Sequence, residues 1–473
     1  MERNKKSFEE YLGKCITELG YPGVSVSIRG PEGVLFEKGF GYIDEEKKKP
    51  ADENTIYGIA SMSKSMTALA CAILHTEGKL SLDDSITKYF PDFHIPGNPD
   101  ECVTLKVIAE HRAGIPPIPP LEWSIAMNSI ERDSVWYRHM IKTAPNKMDN
   151  INQIADYITE GSYKTIGAPG EYMSYSNEGY ALLSYVVDKA AGITLEEFLD
   201  KRVFKPLGMS RTVLDLDGSE AAEIASDGNM TSLFEADEET GELICDDNWS
   251  VLPPFRGCAC VKSTAADMAK YYRMLADHGR FEGKQIVPEE AVELMTGKSY
   301  PASEKPYYCL GLSKRIVDGR TVCEHSGGLH GVSSHGGFVE GGYSAVVLCN
   351  QGDVDVEPLQ WICYNYIMGL PYEKKHYWSR PSGNDFSMKE ALEGDFLAEE
   401  GLPSHTVVRV EDGRIFARYG DTDVELLYDK GTVFVAVEKD NPERRVTTME
   451  FFIRDGKAWA VRCYTRVYMK VNS

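Results

Sequence analysis

The stretch Tyr57-Gly-Ile-Ala-Ser-Met-Ser-Lys-Ser-Met-Thr-Ala-Leu-Ala70 decides the fold and the chemistry together. Small and hydroxyl residues come first, then an apolar run through Leu69, Ala70, Ile73 and Leu74, which predicts a helix N-terminus. Ser61 and Lys64 stand three apart, so a helix brings the Lys64 amine toward the Ser61 hydroxyl. A serine is a poor nucleophile until a neighbouring base takes its proton. A lysine serves as that base where burial or a nearby cation lowers its pKa. The start of a helix adds backbone N–H groups and a positive dipole end, both suited to a developing oxyanion. Taken alone, Ser-x-x-Lys is far more often a solvated helix start than a catalytic pair, so Lys64 needs corroboration elsewhere in the chain.

Two later stretches supply it. In Tyr172-Met-Ser-Tyr-Ser-Asn177, Tyr175 and Asn177 are two apart, which sends both side chains the same way from an extended segment. A polarised Tyr175 can relay a proton to a leaving group, and Asn177 can hold Lys64 and a substrate amide. In His325-Ser-Gly-Gly328, at a strand edge, glycine permits close backbone approach. There the Gly328 N–H can join the Ser61 N–H in an oxyanion hole.

These three motifs, in this order, resemble the serine β-lactamase and penicillin-binding-protein family, closest to its class C, D-aminopeptidase and esterase branch (peptidase S12-like). The flanking text agrees: Val103-Thr-Leu-Lys-Val-Ile-Ala-Glu-His-Arg-Ala-Gly-Ile115, Phe204-Lys-Pro-Leu-Gly-Met-Ser-Arg-Thr212 and Ser263-Thr-Ala-Ala-Asp-Met268. The resemblance covers about residues 8–370. It implies an α+β catalytic domain, an antiparallel sheet flanked by helices plus a helical lobe. It also implies Ser61 as acylated nucleophile, Lys64 as its base, Tyr175 as second acid/base, and Asn177, His325, Ser326, Gly327 and Gly328 as substrate-binding residues. The family pattern has lysine where this chain has His325. A mostly neutral imidazole weakens a clamp for a substrate carboxylate, and the His-x-Gly form is similar to that of D-aminopeptidases and esterases. The implied activity is hydrolysis of esters or amides of small or short-peptide substrates, with D-amino-acid peptides among them. Three readings stay open beside it: an acyltransferase using the same acyl-enzyme, a true β-lactamase or D-Ala-D-Ala carboxypeptidase, and a catalytically silent ligand sensor.

The chain has 473 residues, 42% of them hydrophobic and 26% charged, enough for two or three domains with a large core. A net charge of −22 argues against nucleic acid and anionic membranes as partners. No run approaches the ~18 apolar residues of a membrane span, and no apolar stretch follows the N-terminal charges as in a secretory leader. The eleven cysteines form no disulfide-like framework, so a cytoplasmic location is expected. No Cys/His spacing suggests a metal, and no cofactor is expected. Nothing in the sequence sets the oligomeric state.

Organisation follows from periodicity and breakers. Residues 1–371 are expected as the catalytic domain, 372–384 as a linker and 385–473 as a small antiparallel β-barrel, lipocalin-like by resemblance. Ile115-Pro-Pro-Ile-Pro-Pro120 excludes helix or central strand and opens a poorly patterned stretch to about Asn152, read as a lid or substrate-shaping insertion. Asp215 to Asp247 reads as loop, and Ala458 to Met469 as one strand. There Trp459, Arg462, Tyr464, Arg466 and Tyr468 alternate in a way that suits holding an anionic or apolar substrate group.

Overall fold

A computed structural model describes residues 4–129, 134–145, 148–161, 163–237, 240–246, 248–297 and 307–471. The first three residues, and parts of the 115–152 and Asp215–Asp247 stretches, lie outside these. The chain divides into two compact units, one of Met1–Asp84 with Tyr180–His376, the other of Ser85–Gly179 with Tyr377–Ser473.

The first unit is built on a seven-stranded antiparallel sheet. Its order is Tyr307–Tyr308, Ser313–Val317, Arg320–Leu329, Val332–Val339, Tyr343–Cys349, Gly23–Gly30, Gly33–Gly41. Alternation along Val24–Ile28 divides the residues between two faces. Val24, Val26 and Ile28 join one core with Phe8, Leu12 and Ile16 of the helix Lys5–Leu19 and with Leu359, Ile362 and Cys363 of the helix Glu357–Met368. Ser25 points the other way, where its hydroxyl meets Asp52 O and the buried Tyr57 hydroxyl. On that side Gly336 leaves room for Met62 and Tyr272: a Cβ there would stand 2.5 Å from Met62 Cε. The strand Val332–Val339 is buried along its whole length, as expected where both faces of a sheet are covered.

The second unit combines short helices with a closed eight-stranded antiparallel barrel, Gly394–Ala398, Ser404–Glu411, Arg414–Tyr419, Thr422–Lys430, Val433–Glu438, Asn441–Arg454, Lys457–Cys463 and Arg466–Lys470. Closure removes every sheet edge. The interior is packed with side chains: Phe434 and Phe396 both meet Phe451 edge-on, at centroid distances of 5.6 and 6.1 Å.

Three local readings are corrected. Much of the described part of the 115–152 stretch is helical rather than loop: Pro120–Asn128 and Val135–Thr143 are followed by Ile151–Glu160. Pro120 takes the first helical position, where no N–H is needed. Trp123 donates to Thr143 Oγ1 (3.1 Å) and stacks edge-on against Tyr157, and Trp136 donates to Glu122 (2.9 Å). These tertiary contacts supply what the local pattern lacked. Within Asp215–Asp247, the buried Asp215 carboxylate accepts the N–H groups of Asp217, Gly218 and Ala221 and seats the helix Ser219–Ile224. A hairpin, Leu233–Ala236 with Leu243–Asp246, follows. Finally, Ala458–Met469 is two strands, broken where Tyr464 turns the chain at φ +53°.

Candidate active site

Ser61 belongs to a single 3₁₀ turn, Ala60–Met62, between the strand Tyr57–Gly58 and the helix Ser63–Thr76. Ala60 is held at φ +44°, a left-handed conformation that costs an alanine on the order of 1 kcal/mol or more and persists where surroundings enforce it. Those surroundings are Leu233, Val332, Trp249 and Leu329, packed around the Ala60 methyl. The helix start is pinned twice: Ser63 Oγ accepts Val261 N–H (3.2 Å) and Thr67 Oγ1 donates to Gly257 O (2.6 Å). Lys64 is fully buried. Its Nζ donates to Ser61 Oγ at 3.0 Å and to Cys258 O at 3.1 Å, with the Tyr180 ring centroid 5.8 Å away. Ser61 itself keeps partial exposure, so a shielded amine faces an accessible hydroxyl.

The strand Arg320–Leu329 carries the third motif. Its ladder to Ser313–Val317 ends at Glu324, while pairing with Val332–Val339 continues through Leu329. One edge of His325–Leu329 therefore extends past its neighbour strand. Gly327 lies against the nucleophile turn, and Ser334 Oγ donates to Ile59 O at 2.9 Å, fastening the two together. Beside Gly328 there is open space for a Cβ. His325 is buried with both ring nitrogens engaged. Nδ1 meets Ser326 O at 2.5 Å, and a carbonyl only accepts, so Nδ1 bears the hydrogen and Nε2 accepts from the Tyr308 hydroxyl at 2.9 Å. Burial, and then the Lys64 charge, pull its pKa down to about 3, so the ring is neutral at ordinary pH. Neighbouring Glu324 takes Arg315 Nε (2.6 Å), the Tyr364 hydroxyl (2.8 Å) and His335 Nε2 (3.1 Å). Although burial opposes its charge, Arg315 and His335 hold Glu324 well below the carboxylate range.

The second motif belongs to the other unit. The Tyr175 ring lies between the His111 imidazole (centroids 4.2 Å) and the Arg466 guanidinium, 4.3 Å from the ring centroid. Tyr175 N–H donates to Thr465 O (2.9 Å), and Val467 N–H to Ser174 Oγ (3.3 Å), so the last barrel hairpin docks on this loop. Asn177 Nδ2 donates to Glu400 Oε1 at 3.2 Å. Next to it Glu178 is buried, with Oε2 accepting the Ser176 hydroxyl at 3.0 Å. Desolvation, then the charge of Glu400, raise its pKa to about 7.

The substrate-holding face expected of the last barrel strands is corrected. Arg462 and Arg466 both face carboxylates of their own unit, Glu450 and Glu400, and Trp459 packs on Tyr172 and Phe452. His111, Tyr308 and Glu400 escaped sequence reading, since only His111 stood in a recognised stretch, as a helix end. Among the described residues no three His, Cys, Asp or Glu side chains gather as a metal-binding set.

A family model described as "Beta-lactamase" matches residues 8–360. Penicillin-binding protein 4* of Bacillus subtilis (strain 168) is 28% identical over 214 residues, 45% of this chain and 42% of that protein. The chain spans less than half the length of the curated relatives it matches. Among solved structures, the octameric penicillin-binding protein homologue from Pyrococcus abyssi superposes with a TM-score of 0.66 at 24% identity, over 98% of this chain and 99% of that one. The D-amino acid amidase of Ochrobactrum anthropi SV3 gives 0.58 at 23% identity, over 74% and 92%. With the Ser61–Lys64 pair at the head of its helix and the family model spanning most of its length, the chain belongs to the β-lactamase family of serine hydrolases.

Proposed function

We propose that this protein hydrolyses ester or amide bonds of small substrates through an acyl-enzyme on Ser61, with amides and short peptides of D-amino acids as the favoured class. The observation that carries the reading is the buried Lys64 amine 3.0 Å from the accessible Ser61 hydroxyl. Lys64 takes the Ser61 proton as Oγ bonds to the substrate carbonyl carbon. The oxyanion is met by the N–H groups of Ser61 and Gly328. Tyr175 then relays that proton to the departing amine or alkoxide as the carbonyl–leaving-group bond breaks, which restores both groups, and Asn177 orients the substrate amide. Water repeats the sequence on the acyl-enzyme, returning the serine and releasing the acid.

Substrate class is argued from His325. A neutral imidazole, committed to Tyr308 and Ser326 O, offers no cation to the carboxylate that β-lactams and D-Ala-D-Ala peptides carry. Likeness in fold to a D-amino acid amidase supports amides as substrates. The eleven thiols, none in a disulfide, suit a reducing compartment such as the cytoplasm. No described helix is long and apolar enough to cross a membrane.

The test is a fluorophosphonate probe followed by intact mass, then a panel of paired D- and L-amino-acid amides and esters. One adduct that disappears in Ser61→Ala, with turnover of D-amides above L-amides, is expected. Labelling that persists in Ser61→Ala overturns the nucleophile assignment, and no labelling of the wild type leaves a ligand sensor as the better reading.

A further inference from the structure

Both side chains of the Tyr175–Asn177 motif meet one ion pair from the barrel. Arg466 Nε and Nη2 lie 2.5 and 2.8 Å from the two oxygens of Glu400, a fork-on-fork pair. The guanidinium covers one face of the Tyr175 ring, and the same Glu400 accepts from the Asn177 amide. Arg466 Nη1 also reaches Thr465 Oγ1 at 3.1 Å, next to the carbonyl that takes the Tyr175 N–H. Ring plane, backbone position and amide direction thus converge on two residues that lie beyond the 8–360 region matched by the family.

We propose that Glu400 and Arg466 are positioning residues for the acid/base motif, Arg466 fixing the plane of the Tyr175 ring and Glu400 the direction of the Asn177 amide. The proposal rests on the reading of Tyr175 and Asn177 given above. Arg466 is not placed to anchor a substrate anion, because its charge is already met by both oxygens of Glu400. A guanidinium is suited to the task. It is planar, stacks on an aromatic face and binds a carboxylate in its own plane, so one side chain sets two others at once.

The test uses the full chain, ethyl butyrate as a neutral substrate whose alkoxide needs a proton to leave, and monoethyl succinate as its carboxylate-bearing counterpart. Fluorophosphonate labelling of Ser61 is followed in parallel. Arg466→Met is expected to lower kcat on both esters by about 10–100-fold, less than the roughly 10²–10⁴-fold that a general acid–base group itself contributes, with KM little changed. Arg466→Lys keeps the charge but not the fork and should recover part of that loss, while Glu400→Gln should resemble Arg466→Met. Arg462→Gln, which breaks a similar pair with Glu450 on the barrel wall, should leave both rates unchanged. A loss confined to the carboxylate-bearing ester, through KM, overturns positioning and makes Arg466 a substrate anchor. Unchanged kcat in folded Arg466→Met and Glu400→Gln, with Ser61 still labelled, overturns it while the hydrolase reading stands. A wild type that neither labels nor hydrolyses overturns both. If Arg466→Met melts early, Arg466→Lys decides: a kcat below wild type, at wild-type melting temperature, supports positioning, and a wild-type kcat overturns it.

Discussion

Gly327 stands so close to the nucleophile that a Cβ added to it would lie 3.0 Å from the Ser61 backbone nitrogen and 2.4 Å from Ile59 O. Both contacts are backbone, which cannot swing aside as a side-chain end would. Gly327→Ala must therefore push the strand away from the Ile59–Ser61 turn. Losing one aligned oxyanion donor costs about 10²–10³-fold in kcat, so a drop of that size is expected, together with a lower melting temperature. Wild-type turnover in Gly327→Ala would show that strand and turn need not touch.

Lys64 and Ser61 form a unit, and removing either should remove nearly everything the pair contributes. Lys64→Met fills the same buried volume without the amine. Acylation by the fluorophosphonate is expected to slow by at least about 10²–10⁴-fold. The double variant with Ser61→Ala should be no worse than Ser61→Ala alone. Stopped-flow labelling rates decide it, and a Lys64→Met rate within a few-fold of wild type would assign proton removal elsewhere.

His325 should leave no mark on the pH dependence of turnover. Its pKa of about 3 places its protonation below the usual assay range, so kcat/KM should show no break near 6.5 attributable to this imidazole. His325→Lys introduces a cation at the motif and should raise the preference for carboxylate-bearing over neutral esters. A break near 6.5 that vanishes in His325→Gln would mean the ring titrates normally.

Glu178 should make the protein less stable as pH rises. Its carboxyl keeps its proton to about pH 7 in the fold, whereas unfolded it ionises near 4.5. Between those values the folded state binds more protons, so stability falls with rising pH and levels off above 7. Carried through, the shift is worth about 3 kcal/mol. Glu178→Gln should match wild type near pH 4 and melt higher at pH 8, as measured by thermal scans across that range. Parallel curves for the two proteins would contradict the assignment.

How much of this was legible in sequence depends on how far apart the contacting residues lie. Ser61 and Lys64 are three residues apart, and helical spacing alone brought them together. The alternation along Val24–Ile28 is likewise local, because one face of the sheet packs on apolar helices while Ser25 faces the other way. Glu400 and Arg466 are not joined by any period, and each is an ordinary charged residue on a strand or loop. The helices after Pro119 were hidden for a related reason. Their stability comes from Trp123 and Trp136 reaching other elements, which a proline-rich local pattern does not reveal. Tyr464 concealed a turn because an aromatic residue at positive φ is rare.

The second unit draws on residues 85–179 and again on 377–473, which gives it a schedule. A ribosome adding about 5–20 residues per second finishes the Tyr175 loop tens of seconds before it reaches Thr465 and Arg466. Over that interval the loop has neither the carbonyl that takes the Tyr175 N–H nor the guanidinium over its ring. The nascent chain thus carries its serine and lysine well before it acquires the setting of its tyrosine.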